Sequence, residues 1–506
     1  MRKQRSLKNL ITSVIPYFIL TILGFLRLKV LLQQLGTEIY ALNQVFINIF
    51  AYISLAEAGI GTLITQLYYK YFVEDDKENI KEVFSASKKI LMIISLIMIL
   101  GGFLISFALK LLTQNSLSLV YMQLVFMLYL FRSVMEYIMF APRFVLMADQ
   151  KSYKINLIIN FYKIIEIIAE VIILQFYQNY AVILCSSILI RFISYYIANK
   201  VTFKEYPWLH TVKTDRKIRG MKNVIAHKIA GVVYSNTDIL LASSFLTPMK
   251  VTIYSSYNYI IKFINDIVYM FATSITASMG NVLYKEEVSK QEEVFEKINS
   301  IFIFFAMLLT IALYFSINKF VGLWIGTDKI INKLALIFML ATLYTSITIR
   351  PFLIIRDAMA LYKESKGIAI MEGIINFVLS LVLIQKFDLV GLVFSTLFAT
   401  FVTSNIFYPI KIYKKIFNKS AIKYFAKFFM SAMVCILLCY ITDKIYSLSC
   451  VRGYLEWLTY STIYFITVFS LVFVINYAAS KHFRNFINET IRNIILKIRC
   501  KNEKSN

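Results

Sequence analysis

Eight basic residues stand inside stretches that are otherwise almost wholly apolar: Arg27, Lys29, Arg132, Lys163, Arg191, Lys228, Lys262 and Arg350. A cation at the centre of a bilayer costs about 2.5–3.5 kcal/mol, so eight facing lipid would cost roughly 20–28 kcal/mol. That exceeds the usual stability of a whole protein. Most of these side chains must therefore face a polar interior or a partner. Arg132 and Glu136, Lys163 and Glu166, and Lys262 and Asp266 lie three or four residues apart, the spacing that puts two side chains on one helix face. Lys163 with Glu166 and Lys262 with Asp266 are accordingly expected to be structural pairs. Arg27, Lys29 and Arg191 have no acid at helical spacing, and Lys228 is too distant along its run to pair locally with Asp238. An interior with several such cations suits an anion, above all a phosphate or pyrophosphate. Arg27, Lys29, Arg132, Arg191, Lys228 and Arg350 are the expected substrate-binding cations. Arg27 lies far enough along its run for snorkelling to the outer surface to compete with that role. Glu57, Asp238 and Glu170 are candidates for coupling to a proton or a sodium ion.

The elements that must position these charges are long helices. The 506 residues are 59% hydrophobic, and the apolar residues gather into about fourteen runs between Leu10 and Tyr477. Most runs hold about 20 residues, enough to cross roughly 30 Å of hydrocarbon. The expected fold is an all-α polytopic membrane protein. Its charge of +25 does not indicate nucleic acid, because no soluble segment is long enough to form a binding domain. Position explains the charge: 38 of the 54 Lys and Arg fall on one set of alternate loops and the termini, and 8 on the other set. That asymmetry predicts both termini on the cytoplasmic side. The first run resembles a signal peptide but lacks a small-residue cleavage site and is expected to be retained. Five cysteines without a CxxC and three scattered histidines give no metal site, cofactor site or disulfide framework.

Short echoes link the two halves. Glu82-Val83-Phe84 recurs as Glu293-Val294-Phe295, Ile158-Ile159-Asn160-Phe161 as Ile374-Ile375-Asn376-Phe377, and Ile39-Tyr40 as Ile253-Tyr254. Their similar offsets predict a parallel repeat of two six-helix lobes. The expected organisation is a lobe over 1–200, a basic cytoplasmic linker over 201–223, a lobe over 224–413, two appended spans over 414–478, and a basic amphipathic tail over 479–506. The tail suits the inner membrane surface. Pro16 and Pro351 fall within runs, and Pro16 is a candidate hinge.

Several stretches resemble the polysaccharide-repeat-unit flippases, the Wzx type, of the multidrug/oligosaccharidyl-lipid/polysaccharide exporter superfamily. They are Leu35-Gly36-Thr37-Glu38-Ile39-Tyr40, Leu55-Ala56-Glu57-Ala58-Gly59-Ile60-Gly61, Ala148-Asp149-Gln150, Tyr206-Pro207-Trp208-Leu209, Asn236-Thr237-Asp238, Tyr254-Ser255-Ser256-Tyr257-Asn258 and Met279-Gly280-Asn281. The resemblance covers most of the first 410 residues. The family often has glycine where this chain has Ala41 and Ala360. The resemblance implies two six-helix lobes around a central cavity, alternating access, and a bacterial cytoplasmic membrane. The cargo it implies is an oligosaccharide on undecaprenyl pyrophosphate, with membrane lipids, a polysaccharide polymerase and chain-length machinery as partners. A lipid II flippase or a drug exporter of the same superfamily is the alternative, although a drug exporter should have an acid-dominated cavity. A membrane polymerase or acyltransferase fits less well, because the chain has no large external loop and its three histidines are scattered.

Overall fold

A computed structural model describes residues 2–214, 216, 237–445 and 451–502, apart from position 54. The described residues are helical throughout and divide into two compact units, Met1–Thr252 and Ile253–Asn506. Ten helical stretches among them are long and apolar enough to cross a membrane. The chain is a polytopic helical membrane protein. The ten stand against the fourteen runs of the sequence partly because two stretches are longer than one crossing. Ile11–Ala51 spans 41 residues and Ser365–Ile416 spans 52. Each is broken inside: Gly36 takes φ 76° in α1 (Arg2–Ile53), and Asp388 takes φ 59° in α14 (Tyr362–Thr400). A left-handed backbone cannot continue a right-handed helix. Gly36 adopts it without the Cβ penalty, and a Cβ built at Gly391, just after the second break, would sit 2.2 Å from the Leu383 carbonyl oxygen.

In the first unit α2 is Leu55–Val73, α3 is Lys77–Phe107, α4 is Leu109–Leu112 and α5 is Leu119–Ile138. A short α6 (Ala141–Ala148), α7 (Ser152–Phe176) and α8 (Tyr180–Glu205) follow, and a helix over 237–245 is α9. α7 packs on both α1 and α8, α8 on α5, and α5 on α3. Phe46, Phe50, Phe126 and Tyr129 form the aromatic centre between α1 and α5. On α3 the stripe Met92, Ile93, Leu96, Ile97, Leu100, Phe103 and Leu104 is exposed. An apolar face of that extent is stable against lipid tails rather than water. Asp76 begins α3 by accepting from the Asn79 backbone N–H at 3.0 Å. That hydrogen bond, with a second from the Asn79 amide, holds its carboxylate below the ordinary range.

The second unit continues with α10 (Pro248–Lys285), α11 (Val288–Ile325), α12 (Lys333–Thr348) and α13 (Arg350–Ala358). After α14 come a π-turn (Phe401–Asn405), α15 (Ile406–Ile416), α16 (Ile422–Ile445), α17 (Tyr454–Ala479) and α18 (Lys481–Asn502). α11 is the hub, packing against α12, α16, α17 and α18. The tail helix α18 is clamped to it. Phe483 is 2% exposed among Phe304 and Phe473, Ser300 meets Ser480 at 3.1 Å, and Lys297 pairs with Glu489 at 2.7 Å.

Pro351 lies at a break in the apolar stretch Lys333–Ala358, where it opens the short helix α13 at its second position, as Pro142 does in α6. The first helical turn has no partner for a proline N–H to lose, so the ring is tolerated there. Both short helices are followed by a left-handed residue, Gln150 (φ 58°) and Ala360 (φ 53°). The two breaks lie 209 and 210 residues apart, close to the offset of the sequence echoes.

Candidate functional site

A cluster of charges in the first unit joins five helices, α1, α5, α6, α7 and α8. Its centre is Glu166 on α7, which is 4% exposed. Arg191 of α8 presents its Nε to both carboxylate oxygens, at 2.9 and 3.0 Å. Arg132 of α5 lies 3.8 Å from Oε1 and donates to the Ser187 hydroxyl at 3.2 Å, while Ser187 donates to Glu166. The Arg132 guanidinium also lies 4.0 Å from the centre of the Tyr129 ring. One turn along α7, Glu170 is 2% exposed and takes Arg27 of α1 through two guanidinium nitrogens, the longer contact at 3.4 Å. Glu136 of α5 lies 3.8 Å from both Arg143 of α6 and Arg191. Tyr180 donates to Asn43 beside Arg27.

Several expectations change here. Arg27, Arg191 and Glu170 are not solitary charges: each has a partner on another helix. Glu166 is held by Arg191 and Arg132 rather than by Lys163, whose side chain is exposed one turn away on the same helix. Glu136 likewise takes Arg143 and Arg191 rather than Arg132. The reason is chemical. For Glu166, an arginine from a neighbouring helix reaches across the interface and sets its Nε between both carboxylate oxygens, while the Lys163 ammonium on its flexible stem stays exposed.

Arg132, Arg191, Arg27, Glu166 and Glu170 are thus brought together, with Lys163 in the electrostatic field of Arg191, Glu136 and Glu166. Lys29 is half-buried two residues from Arg27. Arg350 is in the second unit, its guanidinium 5.4 Å from the Tyr269 ring and its buried Nε without a hydrogen-bond partner. Lys262 is exposed and Asp266 half-buried on α10, also in the second unit, and Asp238 is half-buried on α9. Lys228 and the Glu57 side chain lie outside the described residues.

Sequence reasoning missed Arg143, which is 3% exposed and whose guanidinium lies between the Phe140 and Tyr195 rings at 4.7 and 4.3 Å. It reads as a loop cation until α6 is seen to continue from the span. Pro142 immediately before it was the available signal, because proline is favoured in the first helical turn. Counted together, Arg27, Arg132, Arg143, Lys163 and Arg191 stand against Glu136, Glu166 and Glu170. Five cations and three acids leave the cluster with a net charge of +2. Among the described residues no group of His, Cys, Asp or Glu could hold a metal ion.

No protein-family profile matches the chain, and no curated protein matches it. Solved structures do. The lipid II flippase MurJ, in an inward closed conformation, superposes with a TM-score of 0.69 at 14% identity, covering 93% of this chain and 99% of that one. The MATE multidrug transporter DinF-BH gives 0.59 at 15% identity, covering 82% and 96%. A mutant of the Vibrio cholerae MATE transporter VcmN gives 0.55 at 12% identity, covering 83% and 99%. The chain has the fold shared by these lipid-flippase and multidrug-transporter structures.

Proposed function

We propose that the protein is a flippase rather than an enzyme. In this reading it moves an undecaprenyl-pyrophosphate-linked oligosaccharide from the inner to the outer leaflet by alternating access of two six-helix lobes. The observation that carries the proposal is the excess of cations in the ion-paired cluster, where Arg27, Arg132, Arg143 and Arg191 face Glu136, Glu166 and Glu170 with the exposed Lys163 beside them. The acids hold the arginines in fixed orientations. The surplus positive charge remains available to a diphosphate, which can exchange places with a carboxylate at a guanidinium fork. A cluster built for a cationic drug would carry the opposite balance. Fourteen spans, cytoplasmic termini and a bacterial cytoplasmic membrane belong to the same proposal, as do a polymerase and chain-length machinery as partners. Glu57 and Asp238 are proposed as groups that couple transport to a proton or sodium ion. Glu170 is assigned instead to orienting Arg27.

The likeness to MurJ, stronger than to the two MATE transporters compared, favours one second reading, with lipid II as cargo. The test is transfer of each lipid-linked sugar across reconstituted vesicles. Arg191→Gln should reduce transfer at least tenfold with the protein still inserted and folded, and Arg191→Lys should recover part of it, since charge remains but the fork is lost. Unchanged transfer by folded Arg191→Gln would remove the cluster from substrate binding. Transfer of lipid II alone would select the second reading.

A further inference from the structure

A cavity of about 620 Å³ opens in the second unit between α11, α12, the latter half of α14 and α16. It belongs to neither the charge cluster nor any residue assigned above. Its polarity is sorted along its length. One end holds Lys333 and Asp443, paired at 2.6 Å, with Tyr314 beside Lys333. The rest is lined by side chains such as Leu340, Phe394, Phe401, Phe428 and Ala432. Along α16 the lining residues run from Phe428 to Asp443, about 22 Å at the helical rise. That distance approximates one leaflet's hydrocarbon together with its interface.

The cavity opens sideways. Ile337, Phe398, Phe429, Ile436 and Tyr440, all on its wall, are exposed at 40, 41, 51, 69 and 58%. They belong to helices long and apolar enough to span a bilayer. Left empty, an apolar recess of this size would deprive its wall side chains of dispersion contacts on one side. Water is a poor filler where the walls offer it few polar partners. The filler must be apolar over most of its length and charged at one end.

We propose that this cavity is a binding site for a bilayer phospholipid, with one acyl chain between α12, α14 and α16 and the phosphate at Lys333. The ion pair with Asp443 is exposed on both sides, its side chains 64 and 49% accessible, so Lys333 can turn to a phosphate without leaving a buried acid alone. An intramembrane site fixed to α11 through α12 and α16 would brace the hub of this unit.

The test uses the full chain in nanodiscs of phosphatidylglycerol and phosphatidylcholine, with a phosphatidylglycerol probe carrying a diazirine at the end of one acyl chain. Irradiation should place label on segments 394–401 and 428–440. Ala432→Trp, which fills the cavity, should reduce that label at least fivefold while leaving label on the exposed stripe of α3 unchanged. If Ala432→Trp fails to fold, Lys333→Gln on the exposed end should still weaken retention of one tightly held phospholipid through detergent purification, measured by native mass spectrometry. Label no denser at the cavity than on α3, or equal labelling in Ala432→Trp, would overturn the proposal. So would capture of a diazirine undecaprenyl phosphate in preference to the phospholipid, which would assign the cavity to the cargo's own tail. The proposal does not depend on the charge cluster, so loss of lipid labelling and loss of transfer in Arg191→Gln remain separable.

Discussion

Replacing Glu166 by glutamine is the sharpest perturbation the charge cluster allows. The change removes one negative charge, keeps the shape and leaves Arg132 and Arg191 to find other partners. Arg191 is better placed, with its side chain 25% exposed and Glu136 at 3.8 Å. Arg132 is worse placed: its side chain is 8% exposed, its Nε has no hydrogen-bond partner, and it would retain only Ser187 and the face of Tyr129. Leaving one buried charge without its counter-ion costs about 3–5 kcal/mol. Because Arg191 is partly relieved, the loss should fall near the lower end, about 3 kcal/mol, and should come mainly from Arg132. Glu166→Gln with Arg132→Met should therefore recover about 1–3 kcal/mol relative to the sum of the two single variants. Glu170→Gln should cost less, about 1.5–3 kcal/mol, because Arg27 is 27% exposed and can be solvated. The assay is denaturant unfolding in detergent micelles, read as a double-variant cycle. Strict additivity of Arg132→Met and Glu166→Gln would refute the pairing, and a larger loss in Glu170→Gln would refute the ranking by burial.

Three further outcomes are expected. Ala360→Gly should stabilise the protein by about 1 kcal/mol, because Ala360 holds φ 53° and a Cβ there is penalised; a lower midpoint of unfolding would count against it. Gly391→Ala should reduce the folded yield severely, since the new methyl would meet the Leu383 backbone carbonyl and a backbone cannot step aside as a side chain can; normal yield measured by fluorescence-detected gel filtration would contradict the tight break at Asp388. A single cysteine at position 210 in a cysteine-free background should resist an impermeant thiol reagent in whole cells and react after permeabilisation, given the 38-to-8 asymmetry of basic residues. Labelling in intact cells would invert the proposed topology.

The helices were legible because a bilayer imposes one length and one composition on whatever crosses it. Gly36 and Pro142 are residue types that interrupt helices, but only the structure shows the break at one and the helix start at the other. Partner choice inside the cluster was much less legible. Spacing along one helix suggested Lys163 for Glu166 and Arg132 for Glu136. The real partners come from α5, α6 and α8, on other helices than the acid they hold, where spacing along one helix does not report contact. The family preference for glycine at the position of Ala360 gains a physical reason from the backbone angle there. The cavity beside α16 left no trace in the sequence, because its phenylalanines and leucines have the composition of any lipid-facing helix.

The clamp of α18 on α11 also bears on how the protein is made. Phe304 leaves the ribosome long before Phe483, with 179 residues between them. At a synthesis rate of 5–20 residues per second, α11 waits about 10–35 s for the helix that covers its end. During that interval Phe304, Ser300 and Lys297 lack these neighbours, so this face of α11 is completed only after α18 has emerged. A chain truncated before Lys481 would keep the ten candidate spans and the packing of α11 on α12, α16 and α17, but would lack Phe483 and Glu489 on the remaining face. Such a chain would differ from a longer one at a single surface, the side of α11 that carries Lys297, Ser300 and Phe304.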